Sequence, residues 1–373
     1  MEIPPFASFF MGGFECSTHR LSSNKRLDLI AATQHDKFVR QDYTRLKQMG
    51  VSTLRDGIRW HLIEQKPNRY DFSSVLPFIQ AADELGMQVI WDLCHYGWPD
   101  GIDIFRPEFV RSFSRMSRAF AHFYQSETDA PLLVCPINEI SFFAWAGGDA
   151  AQMGPFERGR SFELKTQLVR ATIEGIEAIW DVIPDARIVT IDPLIHVVAD
   201  PSRPEQRVNA EGYQIAQYQA WDMLEGSLWP QLGGNPKYLD ILGVNFYPLN
   251  QWVFGGETIF PENPDYRPFR DMLQELYDRY QRPMFVAETG TEDKFRPQWF
   301  RYVTTEVLAA IQKRIPVDGI CWYPILCHQG WENDRYCSNG FWGYADEKGH
   351  REVYEPLQEE WLRLQVIFTP YSR

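Results

Sequence analysis

The chain of 373 residues is long enough for two average domains or one large α/β barrel, and its 44% apolar residues can fill a sizeable core. A net charge of −13, from 50 acidic against 37 basic residues, argues against nucleic acid or an anionic membrane as partner, because both need a basic face. No stretch approaches the roughly 20 apolar residues that cross a bilayer. Glu2 stands where a signal peptide carries basic charge, and six scattered cysteines without a CxxC fit reduced thiols in a cytoplasmic protein.

Short apolar runs alternate with longer amphipathic stretches. The first strand is predicted at "FASFFMGGF" (6–14), followed by a helix over 36–50 with Phe38, Tyr43, Leu46 and Met49 at helical spacing and Gly50 as its stop. A strand over 51–58 precedes a helix over 72–86, in which Pro77 is expected to introduce a kink. "MQVIWDLCHY" (87–96) reads as a strand, and 107–125 as a helix with Pro107 near its first turn. The fourth strand, in "PLLVCPINEIS" (131–141), runs apolar through Ile137 and then turns to Asn138 and Glu139, ahead of Phe142, Phe143 and Trp145. Helix 163–182, strand 186–195, helix 210–226 and strand 239–248 come next. Helix 268–280, strand 283–290, helix 297–314, strand 317–326 and a last helix near 355–367 complete eight strand–helix units. The Pro-rich segments 199–207 and 260–268 read as long loops.

Uniform alternation of strand and helix implies a parallel sheet, and eight units without a linker predict a single (β/α)8 TIM barrel over residues 1–373. "MGGFECS" is not GxGxxG, so a dinucleotide fold lacks support. In such a barrel the carboxyl ends of the strands converge on one mouth. They deliver Arg55, then His95 with Trp98 beyond it, Asn138 and Glu139, Asn245 and Tyr247, Glu288, and Trp322. That set binds phosphate poorly and suits a neutral polyol, with an aromatic content of 15% to offer flat faces to sugar rings. Two carboxylates across a sugar acetal can cleave it: one donates a proton to the departing oxygen, and the other attacks the anomeric carbon or activates water. Glu139, after an apolar strand, suits the proton donor; Glu288, within reach of Arg55 and Tyr247, suits the anion and nucleophile. Taken singly, each has a blander reading: a solvated loop Glu, a core His95, an Arg55 paired with Asp56 or Asp92, packing tryptophans. Their shared placement at successive strand ends favours a site.

These residues resemble family 1 of the retaining β-glycosidases, the clan that includes β-glucosidases. "RDGIRW" (Arg55 to Trp60), "LCHYGWP" with His95, Asn138-Glu139, "DILGVNFY" with Asn245 and Tyr247, and "AETG" with Glu288 are similar to that family's strand-end motifs. Trp322 and "GFWGYADEKGHREVYEPL" extend the likeness over nearly the whole chain. The resemblance implies Glu139 as acid/base, Glu288 as nucleophile with Tyr247 on it, and a small glycoside or oligosaccharide substrate without cofactor or metal. Departures concern sugar binding. Where the family has a Gln, "GFECSTHR" offers Arg20 or His19; where it has a carboxylate followed by Trp, "LCHQGWEND" offers Gln329, Gly330 and Trp331, with Glu332 displaced. Arg20 would suit an acidic sugar.

Retention predicts the two carboxyls about 5–5.5 Å apart, inversion nearer 9 Å. A second reading is a carbohydrate-binding barrel that has lost turnover, motivated by Arg20 and Gln329 and opposed by the presence of both Glu139 and Glu288. A third, metal-dependent hydrolysis through some of His95, His196 and His328, lacks the close ligand spacing of such sites. Oligomeric state has no signature in the sequence.

Overall fold

Each of the eight apolar runs forms a parallel strand in the computed structural model, which describes residues 5–331 and 333–371. Glu2 and Glu332, both weighed above, lie outside the described residues. The strands are β1 (Phe10–Gly13), β2 (Thr53–Gly57), β3 (Gln88–Cys94), β4 (Leu133–Ile137), β5 (Arg187–Pro193), β6 (Ile241–Asn245), β7 (Met284–Thr289) and β8 (Val317–Trp322). They pair in chain order, and β8 pairs with β1 through Phe10 and Ile320 to close the barrel. No edge is left on this sheet. No helix among the described residues is long and apolar enough to cross a membrane.

Alternation along the strands sorts side chains into two cores. Met11, Ile90, Leu133, Val189, Ile241, Phe285 and Cys321 fill the inside of the barrel. Their outward neighbours pack under the helical ring, as Trp91 does against Phe120 and Tyr124 of helix Pro107–Glu127. Burial of one such large side chain contributes roughly 1.5–3 kcal/mol, so the strand periodicity is itself the main stabilising signal.

Two expectations for the helices need correction. Pro77 makes no kink, because the helix starts at Leu76 and the proline lies in the first turn, where a missing N–H costs nothing. The single helix expected over 210–226 is two, Arg207–Ala216 and Gln219–Glu225. Gln217 sits between them, its Nε2 donating to the Gln214 carbonyl and its Oε1 accepting from Ile195 N at 2.9 Å. A side chain thus competes with the helical ladder at the break. The loops expected at 199–207 and 260–268 flank a short parallel ribbon, His196–Val198 with Gln251–Val253, outside the barrel sheet.

A buried charge network fastens the end of the chain to its beginning. Arg351, from the hairpin strand Arg351–Val353, donates to both oxygens of Asp42 at 2.7 and 2.9 Å. His35 bridges Asp42 and Asp56 at 2.8 and 2.9 Å, and Tyr43 donates to Asp56 at 2.7 Å. Removing one member of a buried pair leaves the other charge uncompensated. Asp42→Ala is therefore expected to cost about 3–5 kcal/mol in chemical denaturation; a loss under about 1 kcal/mol would show that Arg351 finds another partner.

Candidate active site

Glu139 and Glu288 both reach the carboxyl end of the barrel by leaving strand regularity. Along β7, Phe285 and Ala287 point inward and Val286 outward, so strict alternation would send Glu288 out to the helices. The pairing with β6 shifts between Val244 and Asn245, which place Val286 and Glu288 opposite them with Ala287 extra. This bulge, repeated in the pairing with β8, turns the carboxylate inward. Glu139 follows β4 in left-handed backbone conformation, φ 46°, at the start of helix Ile140–Gly148. Tyr96, just past β3, is left-handed too, φ 64°, and its hydroxyl donates to Glu139 Oε2. Non-glycine residues held there cost about 1–3 kcal/mol each, and these two support one another.

Arg55, at the end of β2, organises the floor. Its NH1 donates to Glu288 Oε1 at 3.0 Å and to the Ala287 carbonyl at 2.8 Å. Its NH2 donates to Asp92 Oδ2 at 2.6 Å and Asn138 Oδ1 at 3.2 Å. Asp92 also meets His95 Nδ1 at 3.1 Å, and the Asn138 amide nitrogen lies 3.3 Å from His95 Nε2. The ion pair of Arg55 with Asp92 weighed above is thus present, alongside a second pair with Glu288.

The two carboxyls have unlike surroundings. Glu288 meets the Arg55 cation and accepts from the Tyr247 hydroxyl at 2.9 Å. Burial raises its pKa, and Arg55, His95 and Tyr247 oppose that rise. Glu139 has Tyr96 on Oε2 and the Asn245 amide on Oε1 at 2.9 Å, both neutral donors. Burial and, after it, the charge of Glu288 push its pKa up to about 8. The arrangement holds one proton at Glu139 and one negative charge at Glu288 around neutral pH.

Arg55, His95, Asn138, Asn245 and Tyr247 therefore join the two carboxyls. Trp331 closes the mouth edge-on to His19 and Tyr96, at centroid distances of 4.7 and 5.7 Å. Four expected residues do not join. Trp322 points outward and packs against Phe300 and Phe341, its Nε1 donating to the Asn339 carbonyl; one residue later, Tyr323 is the inward aromatic and lies 5.1 Å under the Arg55 guanidinium. Arg20 turns to Asp100, with contacts of 2.8 and 2.6 Å, and His19 takes the inner position. Trp98 spends its N–H on the Ile102 carbonyl and packs on Phe109 and Phe143. Gln329 lies in a short hairpin with Tyr336, and its carbonyl accepts from His328.

Four further residues line the site unannounced: Glu15, His19, Tyr96 and Tyr323. Tyr96 could have been found from its place beside His95, and Asp92 from a charge inside an apolar strand. The metal reading finds no support in geometry. Among the described residues Cys16, Asp92 and His95 come close enough to share an ion, but the Arg55 cation already occupies Asp92. His196 is on the outer ribbon and His328 bonds Asn339 at 3.0 Å.

Solved structures with this architecture are family 1 β-glucosidases. The β-glucosidase of Thermotoga maritima in complex with glucoimidazole superposes with a TM-score of 0.79 at 14% identity, covering 97% of this chain and 98% of that one. Its complex with castanospermine gives 0.78 at 14% identity over the same shares of the two chains. At that identity the likeness speaks for the fold. The β-glucosidase 1B of Phanerodontia chrysosporium is 24% identical over 171 residues, 35% of this chain; the match spans 32%, about a third, of that relative's length. No family model matches the chain.

The raised Glu139 pKa makes a stability prediction. A carboxyl whose folded pKa lies above its unfolded value contributes stability that is complete below the unfolded pKa and lost as pH rises through the folded one. Stability should thus fall between pH 4.5 and about 8, and Glu139→Gln should flatten that part of the profile. Unfolding midpoints across the range would test it, an unchanged slope in Glu139→Gln counting against a protonated Glu139.

Proposed function

We propose that this protein is a retaining β-glycoside hydrolase, a divergent member of glycosidase family 1, acting on a small β-linked glycoside or oligosaccharide without a cofactor. The observation that carries the reading is the asymmetry of the two carboxyls: Glu288 faces a guanidinium and a phenol, while Glu139 has only neutral donors and a pKa near 8. The six cysteines are all unpaired, which supports a reducing, cytoplasmic setting for a single barrel domain.

In the first step the Glu288 carboxylate attacks the anomeric carbon while Glu139 passes its proton to the glycosidic oxygen. The aglycone leaves and an ester joins sugar to Glu288. Ester formation removes the negative charge that helps hold the Glu139 proton, so the Glu139 pKa falls. Glu139 is then the base that takes a proton from water, which attacks the same carbon and frees the sugar with its original configuration. Tyr247 and Arg55 release Glu288 as an ester and recapture it as an anion. Tyr96 and Asn245 keep Glu139 aimed through both steps.

Glu288→Gly should lower kcat on an aryl β-glycoside by several orders of magnitude, and azide should restore turnover with an α-glycosyl azide as product. An enzyme that stays active without Glu288 would end the assignment. Proton NMR of the first-formed sugar should show the β anomer; an initial α anomer would mean inversion. Glu139→Gln should depress cleavage of poor leaving groups far more than that of activated phenols, because only the former need the proton. Equal losses for both would remove Glu139 from the donor role, and sugar binding without cleavage across the panel would leave a binding barrel.

A further inference from the structure

The first strand ends in a third carboxylate that neither step above uses. Glu15 lies in the loop after β1, and its side chain is 8% exposed. The backbone N–H of Ser17 at 2.9 Å and the Ser17 hydroxyl both donate to Oε1. The same oxygen lies 3.7 Å from His95 Nε2, on the face of the ring away from Asp92. Oε2 has no hydrogen-bonding partner among the described residues. Its neighbourhood is the site: the Glu15 charge acts on Glu288, Tyr247, Tyr96 and Tyr323, which lie on four different strand ends.

Glu15 is an anion. Burial works against ionisation, but His95, His328 and the two Ser17 hydrogen bonds together hold its pKa below the ordinary carboxyl value. Beside it His19 is neutral at pH 7, burial having brought its pKa down to about 4, and the buried Nδ1 of this 1% exposed ring has no partner. Three anions, Glu15, Asp92 and Glu288, thus meet Arg55 and, when protonated, His95. Arg20 does not redress the balance, since it is paired with Asp100 outside the group. The site keeps an excess of negative charge, with a free carboxylate oxygen at the mouth side.

We propose that Glu15 is the specificity-determining residue of this site and that the sugar it selects carries a protonated amine. An ammonium group would satisfy Oε2 with a charge-assisted hydrogen bond, about twice as strong as one from a neutral hydroxyl. An acidic sugar would meet three carboxylates and no free cation, which reverses the expectation drawn from Arg20. The inference rests on the glycosidase reading for turnover, and on geometry alone for binding.

Binding and cleavage separate the two. Wild-type protein would be titrated calorimetrically with glucose, glucuronate, the 2-, 3-, 4- and 6-amino-deoxyglucoses and their N-acetyl forms, and assayed on the matching aryl β-glycosides. At least one free amine should bind about tenfold or more tighter than glucose, lose that advantage on N-acetylation, and outrun the neutral glycoside in kcat/KM. Glucuronate should bind weakest. Glu15→Gln, which can keep Ser17 as donor to its amide oxygen, should bring amine and neutral sugar to within a fewfold of each other and lift glucuronate relative to both. A wild-type preference for glucose over every amine, or an equal loss for all sugars in Glu15→Gln, would overturn the proposal while leaving hydrolysis intact. Amine-selective binding with no cleavage would instead overturn the hydrolase reading and keep Glu15. Binding of no sugar at all would overturn both.

Discussion

Arg55 is fully buried, and a guanidinium cannot shed its proton to escape the cost of being there. The interior must supply anions and acceptors around it, and it does so from four strands: Asp92, Asn138, the Ala287 carbonyl and Glu288. Much of the active-site architecture follows from that requirement. The cation keeps Glu288 charged in a dry setting, and the charged Glu288 in turn raises its partner Glu139. Asp92 prevents Arg55 from neutralising Glu288 completely, leaving a carboxylate that is stabilised and still basic enough to attack. His95 and Asn138 hold the remaining sides of this group, so the floor has little room to relax.

The strand regularity that builds the barrel is broken where the chemistry sits. A bulge turns Glu288 inward, and left-handed backbone at Tyr96 and Glu139 places a phenol against a carboxyl. Such irregularities bear an energetic cost that the packed scaffold offsets, through the two hydrophobic cores and the Arg351–Asp42 tie. Gly13 shows how closely the scaffold fits the site. A Cβ there would run into the Tyr323 ring, so only glycine lets β1 pass beneath that aromatic.

This explains which parts could be foreseen from residue order. The eight strands, the barrel and the two central Glu residues were legible because each apolar run stops abruptly at a polar group. Tyr323 was missed in favour of Trp322 because inward and outward residues differ by one position, and tryptophan looked the better sugar platform. The same one-residue ambiguity hid His19 behind Arg20, whose charge is spent on Asp100. Glu15 gave no signal, since a lone acid beyond a glycine-rich strand looks like any loop residue until Ser17 and His95 are brought against it. Periodicity finds elements; the phase of a short strand end depends on register and bulges that only the folded sheet sets.

Closure of the ring has a temporal consequence. The last strand lies beside the first, Phe10 against Ile320, so the segment bearing Tyr323 meets the one bearing Glu15 only after seven other strands are in place. A nascent chain still lacking that strand would carry both acids of the pair yet have no wall of aromatic rings to keep water from them. Catalytic competence is then a late event in biogenesis, gated by the slowest, most distant pairing in the sheet.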